Sequence, residues 1–322
     1  MEILEVKGVR LAGIAACVPS GVVPNDPKVV AATGISARRI VSDGVTGLDL
    51  CLMAARRVLA DTGARPDEFG AILSVSFTQE TRMPSTAAQA QARLGFPKNS
   101  LAFDVLQACA GYGYGLYLAA LLVQQTRKKV LLLDGDRQSA FLRMDDPAMA
   151  PLLSDGGSAT IVESENGEEE GGRRSDWRFA FRTDGEKGDA LRLVRDGTIE
   201  MDGFGVFRFV ATDVVSFLKD FASATLPSDL SSPSFFVPHQ PNVYMVRQLA
   251  KSIGLLDRTL LSADRFGNLS SASIPTTIVA HAASFASGPA PISILLAGFG
   301  GGLAISAGLI TLEKGCILSL VS

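Results

Sequence analysis

Short apolar runs alternate with longer amphipathic segments along the chain, and this alternation predicts strands that alternate with helices. In the first half, the apolar runs that predict strands are Val6 to Val18, Ala71 to Phe77, Leu101 to Leu106 and Lys129 to Asp134. The segments with helical character are Gly47 to Thr62, Ser85 to Leu94 and Gly115 to Gln124. The run from Leu101 to Leu106 is typical of a buried strand.

The second half repeats the pattern. Strands are predicted at Trp177 to Arg182 and Ser234 to His239, and helices at Phe209 to Phe221, Val243 to Ile253 and Ile274 to Phe285. Each half also has a strand that delivers a polar or nucleophilic residue to the start of a helix, which is weak evidence for an internal duplication. The fold class that follows is α/β.

The uncharged stretch from Ile292 to Ile310 is long enough to span a bilayer. Glycines from Gly298 to Gly302 interrupt it, however. Two buried strands joined by a glycine turn explain the stretch better than a membrane helix, so we expect no contact with a membrane.

A chain of 322 residues predicts two domains of about 150 residues each. We place them at residues 1–165 and 166–322. The charged, glycine-bearing stretch 163–176 lies at this boundary. A solvated loop is favoured there over an acidic interaction site.

Composition excludes several classes of function. A net charge of −3 without a long basic run argues against a nucleic-acid partner. The four cysteines (Cys17, Cys51, Cys109 and Cys316) have neither metal nor disulfide spacing, which predicts no metal site and a reducing, cytoplasmic location. The acidic start of the chain lacks a signal-peptide pattern.

Cys109 lies between a predicted strand and a predicted helix. The positive end of a helix dipole should lower the pKa of a thiol there, so Cys109 is a candidate thiolate nucleophile. The glycines Gly111, Gly113 and Gly115 would allow close approach to the backbone. A buried structural cysteine in a tight turn is an equally good interpretation of this stretch alone.

Three further features could complete a site with Cys109. His239 ends an apolar strand, whereas His281 lies inside a predicted helix and is more typical of a packed or surface residue. Asn268 follows Gly267, which is a turn signature first and a catalytic amide second. Backbone N–H groups of Gly300 to Gly302 could form an oxyanion hole.

Together these groups could carry out a defined chemistry. A thiolate would take an acyl group from a thioester. A neutral imidazole and an amide would then donate hydrogen bonds to the carbonyl of a second thioester as carbon dioxide leaves. The resulting carbanion would attack the acyl-cysteine.

Four segments resemble, in order and spacing, the signatures of the β-ketoacyl-ACP synthase III family: Asp104 to Tyr112, Pro238 to Asn242, Gly267 to Pro275 and Gly298 to Gly302. Further positions similar to the family are Thr33 to Ile35, Met83 to Ser85, Ser154 to Gly156, Met201 to Gly203, Val206 and Phe207. The resemblance covers nearly the whole chain. It implies a thiolase-like fold of two similar αβαβα halves, each with a mixed five-stranded sheet, and a homodimer.

The resemblance also assigns roles. It implies that Cys109 is the nucleophile, that His239 and Asn268 form the decarboxylation site, and that the N–H groups of Cys109 and Gly301 form the oxyanion hole. Met83, which the family's dimer partner supplies to the acyl pocket, joins Phe207 and Asn242 as a substrate-tunnel residue. No cofactor is implied beyond the acyl-CoA or acyl-carrier-protein thioester and the malonyl thioester that serve as substrates, with acyl carrier protein as a candidate partner.

Several positions depart from the family's pattern. Lys28 replaces a tryptophan that stacks on the adenine of coenzyme A, Ala32 replaces an arginine that closes the other side, and the segment from Ala148 to Ser154 is shortened. Tyr244 replaces an arginine that contacts acyl carrier protein, with Arg247 one helical turn later as a candidate substitute. These departures predict a specialised relative of synthase III, from secondary metabolism.

Two alternatives to a condensing enzyme stay open. One is an acyltransferase on the same fold that passes the acyl group from Cys109 to an alcohol or amine, with His239 as general base. The other is a non-catalytic partner subunit, against which the complete set of Cys109, His239 and Asn268 argues.

Overall fold

The computed structural model describes residues 1–143, 145–165, 176–193, 197–226, 233–286 and 292–322. Most of the charged stretch predicted as a boundary loop, residues 166–175, lies outside them. The strands are β1 (Leu4–Lys7), β2 (Val9–Cys17), β3 (Val22–Pro24), β4 (Ala37–Arg39), β5 (Phe69–Val75), β6 (Leu101–Val105), β7 (Lys129–Asp136), β8 (Gly156–Ser164), β9 (Asp176–Thr183), β10 (Leu191–Leu193), β11 (Ile199–Met201), β12 (Phe235–Pro238), β13 (Ile292–Gly300), β14 (Ala304–Leu312) and β15 (Ile317–Val321). The α-helices are α1 (Pro27–Thr33), α2 (Gly47–Thr62), α3 (Thr86–Leu94), α4 (Gly111–Thr126), α5 (Gly203–Phe209), α6 (Val215–Thr225), α7 (Val243–Ser252), α8 (Ala263–Phe266), α9 (Ser273–Ala280) and α10 (Ala282–Ala286).

Two mixed sheets organise the molecule. One has the strand order β15-β2-β8-β7-β5-β6, and the other has the order β1-β9-β14-β13-β12. Apolar side chains of α4 and α9 pack between the two sheets, while α2 covers the outer face of the first sheet and α6 and α7 cover the outer face of the second. The predicted α/β, thiolase-like layering is therefore confirmed.

The described part of the second sheet has the expected five strands, whereas the first sheet has one more. The described part of the first sheet has six strands, because β15 from the end of the chain pairs in parallel with β2. Conversely, β1 from the start of the chain pairs with β9 in the second sheet. The division into residues 1–165 and 166–322 stays a prediction. Strands β1 and β15 each pair with a strand on the other side of this boundary.

Strand β6 is an edge strand, so the prediction of a buried strand at Leu101 to Leu106 is wrong. Among the described strands it pairs only with β5, and the side chains of Leu101, Phe103 and Leu106 are exposed. The apolar run is real, but its place at the end of the sheet depends on pairing with distant segments. Asp104 on this strand accepts hydrogen bonds from the backbone N–H groups of Thr86 and Ala87, and so caps the start of α3.

Helix α4 leads away from the predicted nucleophile and is held tightly between the sheets. A Cβ atom at Gly113 would lie 2.5 Å from Oγ of Ser306, and one at Gly115 would lie 2.7 Å from Cδ1 of Leu132. The predicted close approach to these glycines is therefore made by side chains of β14 and β7. This packing fixes the position of the turn that precedes α4.

The stretch from Ile292 to Ile310 forms two antiparallel strands, β13 and β14, as predicted. Among the described residues, no helix combines the length and the apolar character needed to cross a membrane.

Candidate active site

A cavity of about 700 Å³ contains the predicted site residues. Cys109, His239 and Asn268, which come from three separate segments, all line it. So do the other predicted oxyanion-hole and tunnel residues, Gly301, Phe207 and Asn242. Met83 does not line the cavity of this chain, and its side chain is 85% exposed.

Cys109 lies in a short 3-10 turn, Ala108–Ala110, between β6 and α4. Ala108 has a φ of 39°, in the left-handed region that non-glycine residues rarely adopt. The Sγ atom of Cys109 lies 3.8 Å from Oγ of Ser270. Burial raises the pKa of Cys109 to about 12, so the predicted lowering of its pKa is wrong for the resting site.

The glycine turn after β13 lies directly against the thiol. A Cβ atom at Gly300 would lie 2.8 Å from Cβ and 3.2 Å from Sγ of Cys109. One at Gly301 would lie 3.2 Å from Cβ of Ala108. Only glycine allows the backbone at position 300 to approach the sulfur this closely. Gly301, a residue of the predicted oxyanion hole, follows Gly300 and lines the same cavity as Cys109.

His239 follows β12, and its Nδ1 atom lies 3.0 Å from the carbonyl oxygen of Ser270 and 3.0 Å from Oγ of Ser273. A carbonyl oxygen can only accept, so the ring proton belongs on Nδ1 and the lone pair on Nε2. Burial lowers the pKa of His239 to about 4, which keeps the ring neutral. The neutral ring therefore cannot donate from Nε2, contrary to the role predicted for it.

Asn268 is held by both its side chain and its main chain. Its Oδ1 atom accepts a hydrogen bond of 2.9 Å from the N–H group of Ser270, which leaves the Nδ2 protons free to donate elsewhere. Its own N–H donates to the carbonyl oxygen of Leu152, and its carbonyl oxygen accepts from the N–H of Ser154. The predicted Ser154 to Gly156 turn thus supports the amide.

Ser270 joins the three predicted residues. Its hydroxyl group contacts Cys109, its N–H group binds Asn268, and its carbonyl oxygen binds His239. Its φ of 55° lies in the left-handed region, and it is fully buried. Ser270 lies in the segment from Gly267 to Pro275, but the sequence indicates no role for it, because a serine in a turn is common and nothing local indicates three separate contacts.

Two carboxyl groups are buried near Cys109, and no pattern in the sequence indicates either of them. Asp136 accepts hydrogen bonds through Oδ1 from Ser76 and Thr78, and Asp134 accepts one from Ser271. Burial raises the pKa of both carboxyl groups. In turn, both carboxylates raise the pKa of Cys109.

One side of the cavity is an apolar chamber. Its walls include Leu153 and Met149 from the segment before β8, and Leu191, Leu193 and Ile199 from the β10–β11 hairpin. Apolar walls with a few polar groups at one end are typical of sites for small, mostly apolar ligands. The polar end here is the group around Cys109.

His281 lies apart from this group, and its Nε2 atom lies 2.7 Å from the carbonyl oxygen of Leu261. This contact agrees with the packed role predicted for it. In the described ranges, no three side chains of His, Cys, Asp or Glu are grouped so that they could hold a metal ion.

Comparisons with known proteins agree on one family. Residues 103–185 match the family described as 3-oxoacyl-[acyl-carrier-protein (ACP)] synthase III, and residues 227–312 match its C-terminal domain. The β-ketoacyl-[acyl-carrier-protein] synthase III of Ruegeria pomeroyi is 32% identical over 286 residues, which cover 83% of this chain and 87% of that protein. The enzyme of the same name from Listeria innocua is 32% identical over 274 residues, which cover 84% of this chain and 85% of that protein.

The fold is similar over the whole chain to a solved relative. The crystal structure of a 3-oxoacyl-(acyl-carrier protein) synthase from Burkholderia xenovorans superposes with a TM-score of 0.91 at 28% identity, and covers 99% of this chain and 98% of that one.

Proposed function

The chain belongs to the 3-oxoacyl-[acyl-carrier-protein] synthase III family of condensing enzymes, and we propose that Cys109, His239 and Asn268 carry out its reaction. In this reaction an acyl thioester and a malonyl thioester give a β-ketoacyl thioester. The observation that carries the assignment is the convergence of all three side chains on one cavity, each in contact with Ser270.

The first half-reaction moves the acyl group to Cys109. Its sulfur attacks the carbonyl carbon of the acyl thioester, a new C–S bond forms, and the bond to the leaving thiol breaks. Nε2 of His239 takes the proton of the thiol and returns it to the leaving thiolate. A neutral His239 with its proton on Nδ1 has a lone pair on Nε2, which can accept this proton.

The second half-reaction forms the carbon–carbon bond. The C–C bond to the carboxylate of the malonyl group breaks, carbon dioxide leaves, and the electron pair stays on the enolate. The Nδ2 group of Asn268 donates to the enolate oxygen, since Oδ1 is already engaged by the N–H of Ser270. The enolate carbon attacks the acyl group, and the thiolate of Cys109 leaves and takes a proton from solvent.

The N–H groups of Cys109 and Gly301 are proposed to bind the oxygen of the tetrahedral intermediates. Both residues line the cavity, and the glycine turn lies against the sulfur. The apolar chamber beside Cys109 would hold the hydrocarbon part of the acyl group, which gains about 0.8 kcal/mol for each buried CH₂. Phe207 and Asn242 would line the path of the thioester arm.

Replacing Asn268 tests the division of labour between the two half-reactions. We expect Asn268→Ala and Asn268→Asp to lower carbon dioxide release from labelled malonyl thioester by about 100-fold or more, while acylation of Cys109 is little changed. Asn268→Asp is the matched variant because it keeps an oxygen for the N–H of Ser270 but lacks the donor. Equal loss of both half-reactions in both variants would contradict the assigned role. Transfer of the acyl group from Cys109 to an alcohol or amine, with neither carbon dioxide release nor a β-keto product, would point to another acyltransferase reaction.

Acyl carrier protein is proposed to dock at the mouth of the cavity. Arg247 lies one turn after Tyr244 on α7, and Arg208 follows Phe207 on α5; Tyr244 and Phe207 both line the cavity. Both arginines are exposed, and neither has an ion-pair partner among the described residues. Free cations at the mouth would attract an acidic carrier.

Arg247→Glu should therefore raise the KM for malonyl carrier-protein thioester but not for malonyl-CoA. An equal KM for the carrier-protein thioester in the variant and in the unmodified protein would contradict this docking surface.

The acyl donor is also proposed to be a specialised one. Lys28 and Ala32 are exposed on α1 and do not line the cavity, so no aromatic ring at position 28 can stack on an adenine.

We also propose a homodimer formed through the open edge of β6. The exposed Leu101, Phe103 and Leu106 support it, and in such a dimer the exposed Met83 could reach the acyl chamber of the partner subunit.

A further inference from the structure

We infer that the hydroxyl group of Ser270 is a positioning group for the nucleophile, and that it donates a hydrogen bond to the sulfur of Cys109 when the thiolate forms. The inference rests on the proposed role of Cys109 and goes beyond it. Ser270 is not one of the three proposed catalytic residues, Cys109, His239 and Asn268. The inference gives it the role of holding the sulfur of Cys109 as a thiolate.

The contact itself is specific to one hydroxyl group. Oγ of Ser270 lies 3.8 Å from Sγ of Cys109, within the reach of a hydrogen bond to sulfur, and both side chains are buried. The neighbouring hydroxyl groups point elsewhere. Oγ of Ser271 donates to Asp134, and Oγ of Ser273 donates to the carbonyl oxygen of Ser270.

The sulfur needs such a donor because its surroundings oppose a negative charge. Burial and the carboxyl groups of Asp136 and Asp134 all raise the pKa of Cys109, whereas the contact with Ser270 lowers it. The hydroxyl group of Ser270 also lowers the pKa of Asp136, so it faces two acceptors. Oδ2 of Asp136 has no hydrogen-bond partner in the described part of the chain. A hydroxyl group carries one proton, which can turn toward the sulfur when the thiol is deprotonated.

The backbone of Ser270 has a separate task, which makes the side chain testable. Its N–H and carbonyl groups hold Asn268 and His239 whatever side chain is present. Ser270→Ala removes only the hydroxyl group and keeps the left-handed backbone with its cost. Ser270→Gly also removes the hydroxyl group but suits a φ of 55°, so it should fold at least as well as Ser270→Ala.

The experiment compares two half-reactions in the full-length protein. The first readouts are the rate of acylation of Cys109 by an acyl thioester and the rate of its alkylation by iodoacetamide, both followed by intact-protein mass spectrometry. The second readout is carbon dioxide release from malonyl-CoA by pre-acylated enzyme. Ser271→Ala is the control, since it removes a neighbouring buried hydroxyl group that contacts Asp134 and not the sulfur.

We expect Ser270→Ala and Ser270→Gly to slow acylation and alkylation by about tenfold or more, the usual effect of losing a hydrogen bond to a charged group. Carbon dioxide release should stay near the unmodified rate in both. Acylation at the unmodified rate in either variant would overturn the inference, and so would an equal fall in carbon dioxide release, which would mean a purely structural role. If the unmodified protein itself fails to acylate, the proposed function fails instead, so the two failures are distinguishable.

Discussion

At the scale of single residues, two non-glycine residues in left-handed backbone conformations meet at Cys109. Ala108 precedes Cys109, and Ser270 contacts its sulfur. Such conformations cost about 1–3 kcal/mol each and persist where the surrounding structure enforces them, often at functional sites. The strain at these two positions is therefore consistent with a turn shaped for the geometry of the thiol and not for stability alone.

The protonation state of His239 gives a direct prediction at this scale. We expect its ring to be neutral with the proton on Nδ1 at pH 7, and to stay so down to pH 5, because burial lowers its pKa to about 4 from the usual value of about 6.5. The unfolded chain binds this proton at higher pH than the folded chain does. His239 should therefore lower the free energy of unfolding as the pH falls from about 6.5 toward 4.

Long-range ¹⁵N NMR spectra of labelled protein test this prediction. The chain has only two histidines, so His281→Asn leaves the signals of His239 alone. A positively charged ring at pH 6, or a neutral ring with its proton on Nε2, would contradict the assignment of His239 as the base.

The identity of the three predicted residues could be read from the sequence, but their chemical state could not. Cys109, His239 and Asn268 each lie within a recognisable segment, and the structure brings them to one cavity. The raised pKa of Cys109, the tautomer of His239 and the contacts of Ser270 with Cys109 and His239 depend on groups far away in the chain. Burial and hydrogen bonds across the fold decide these properties, and local patterns do not record them.

At the scale of elements, the hydrophobic pattern predicted most strands and helices but not their order in the sheets. Helix α2 has the predicted bounds, Gly47–Thr62, because a capping box at Thr46 and Asp49 and a glycine after Thr62 mark its ends. The edge position of β6 and the addition of β15 to the first sheet were missed. Strand order follows from long-range pairing, which the period of a single segment does not specify.

The open edge of β6 gives a prediction at this scale. We expect the protein to be a dimer in solution, and Phe103→Lys to shift it toward monomer, since a charge on an exposed apolar edge opposes strand pairing between subunits. Analytical ultracentrifugation measures the shift.

Leu256→Lys is the control, because Leu256 is a similarly exposed apolar residue outside this edge. A monomeric unmodified protein, or an unchanged dimer in Phe103→Lys, would argue against an interface at β6. If Met83 of one subunit completes the acyl chamber of the other, the monomeric variant should also load long acyl groups more slowly.

At the scale of the whole molecule, the two sheets and the helices between them bring distant segments to one place. Cys109 comes from the turn before α4, His239 from the end of β12, and Asn268 from the turn before α9. The helices α4 and α9 pack in the same core between the sheets. The layered fold thus brings Cys109, His239 and Asn268 together from distant parts of the chain.

Cys109 is proposed to carry the acyl group between the two half-reactions. Intact-protein mass spectrometry tests it after incubation with a panel of acyl-CoA and acyl carrier-protein thioesters of increasing chain length. We expect a mass increase equal to the acyl group, its absence in Cys109→Ala, and better loading by chains that fill the apolar chamber. Loading only from carrier protein would locate the change of donor at Lys28 and Ala32. No mass increase with any thioester, or an increase that persists in Cys109→Ala, would contradict the account.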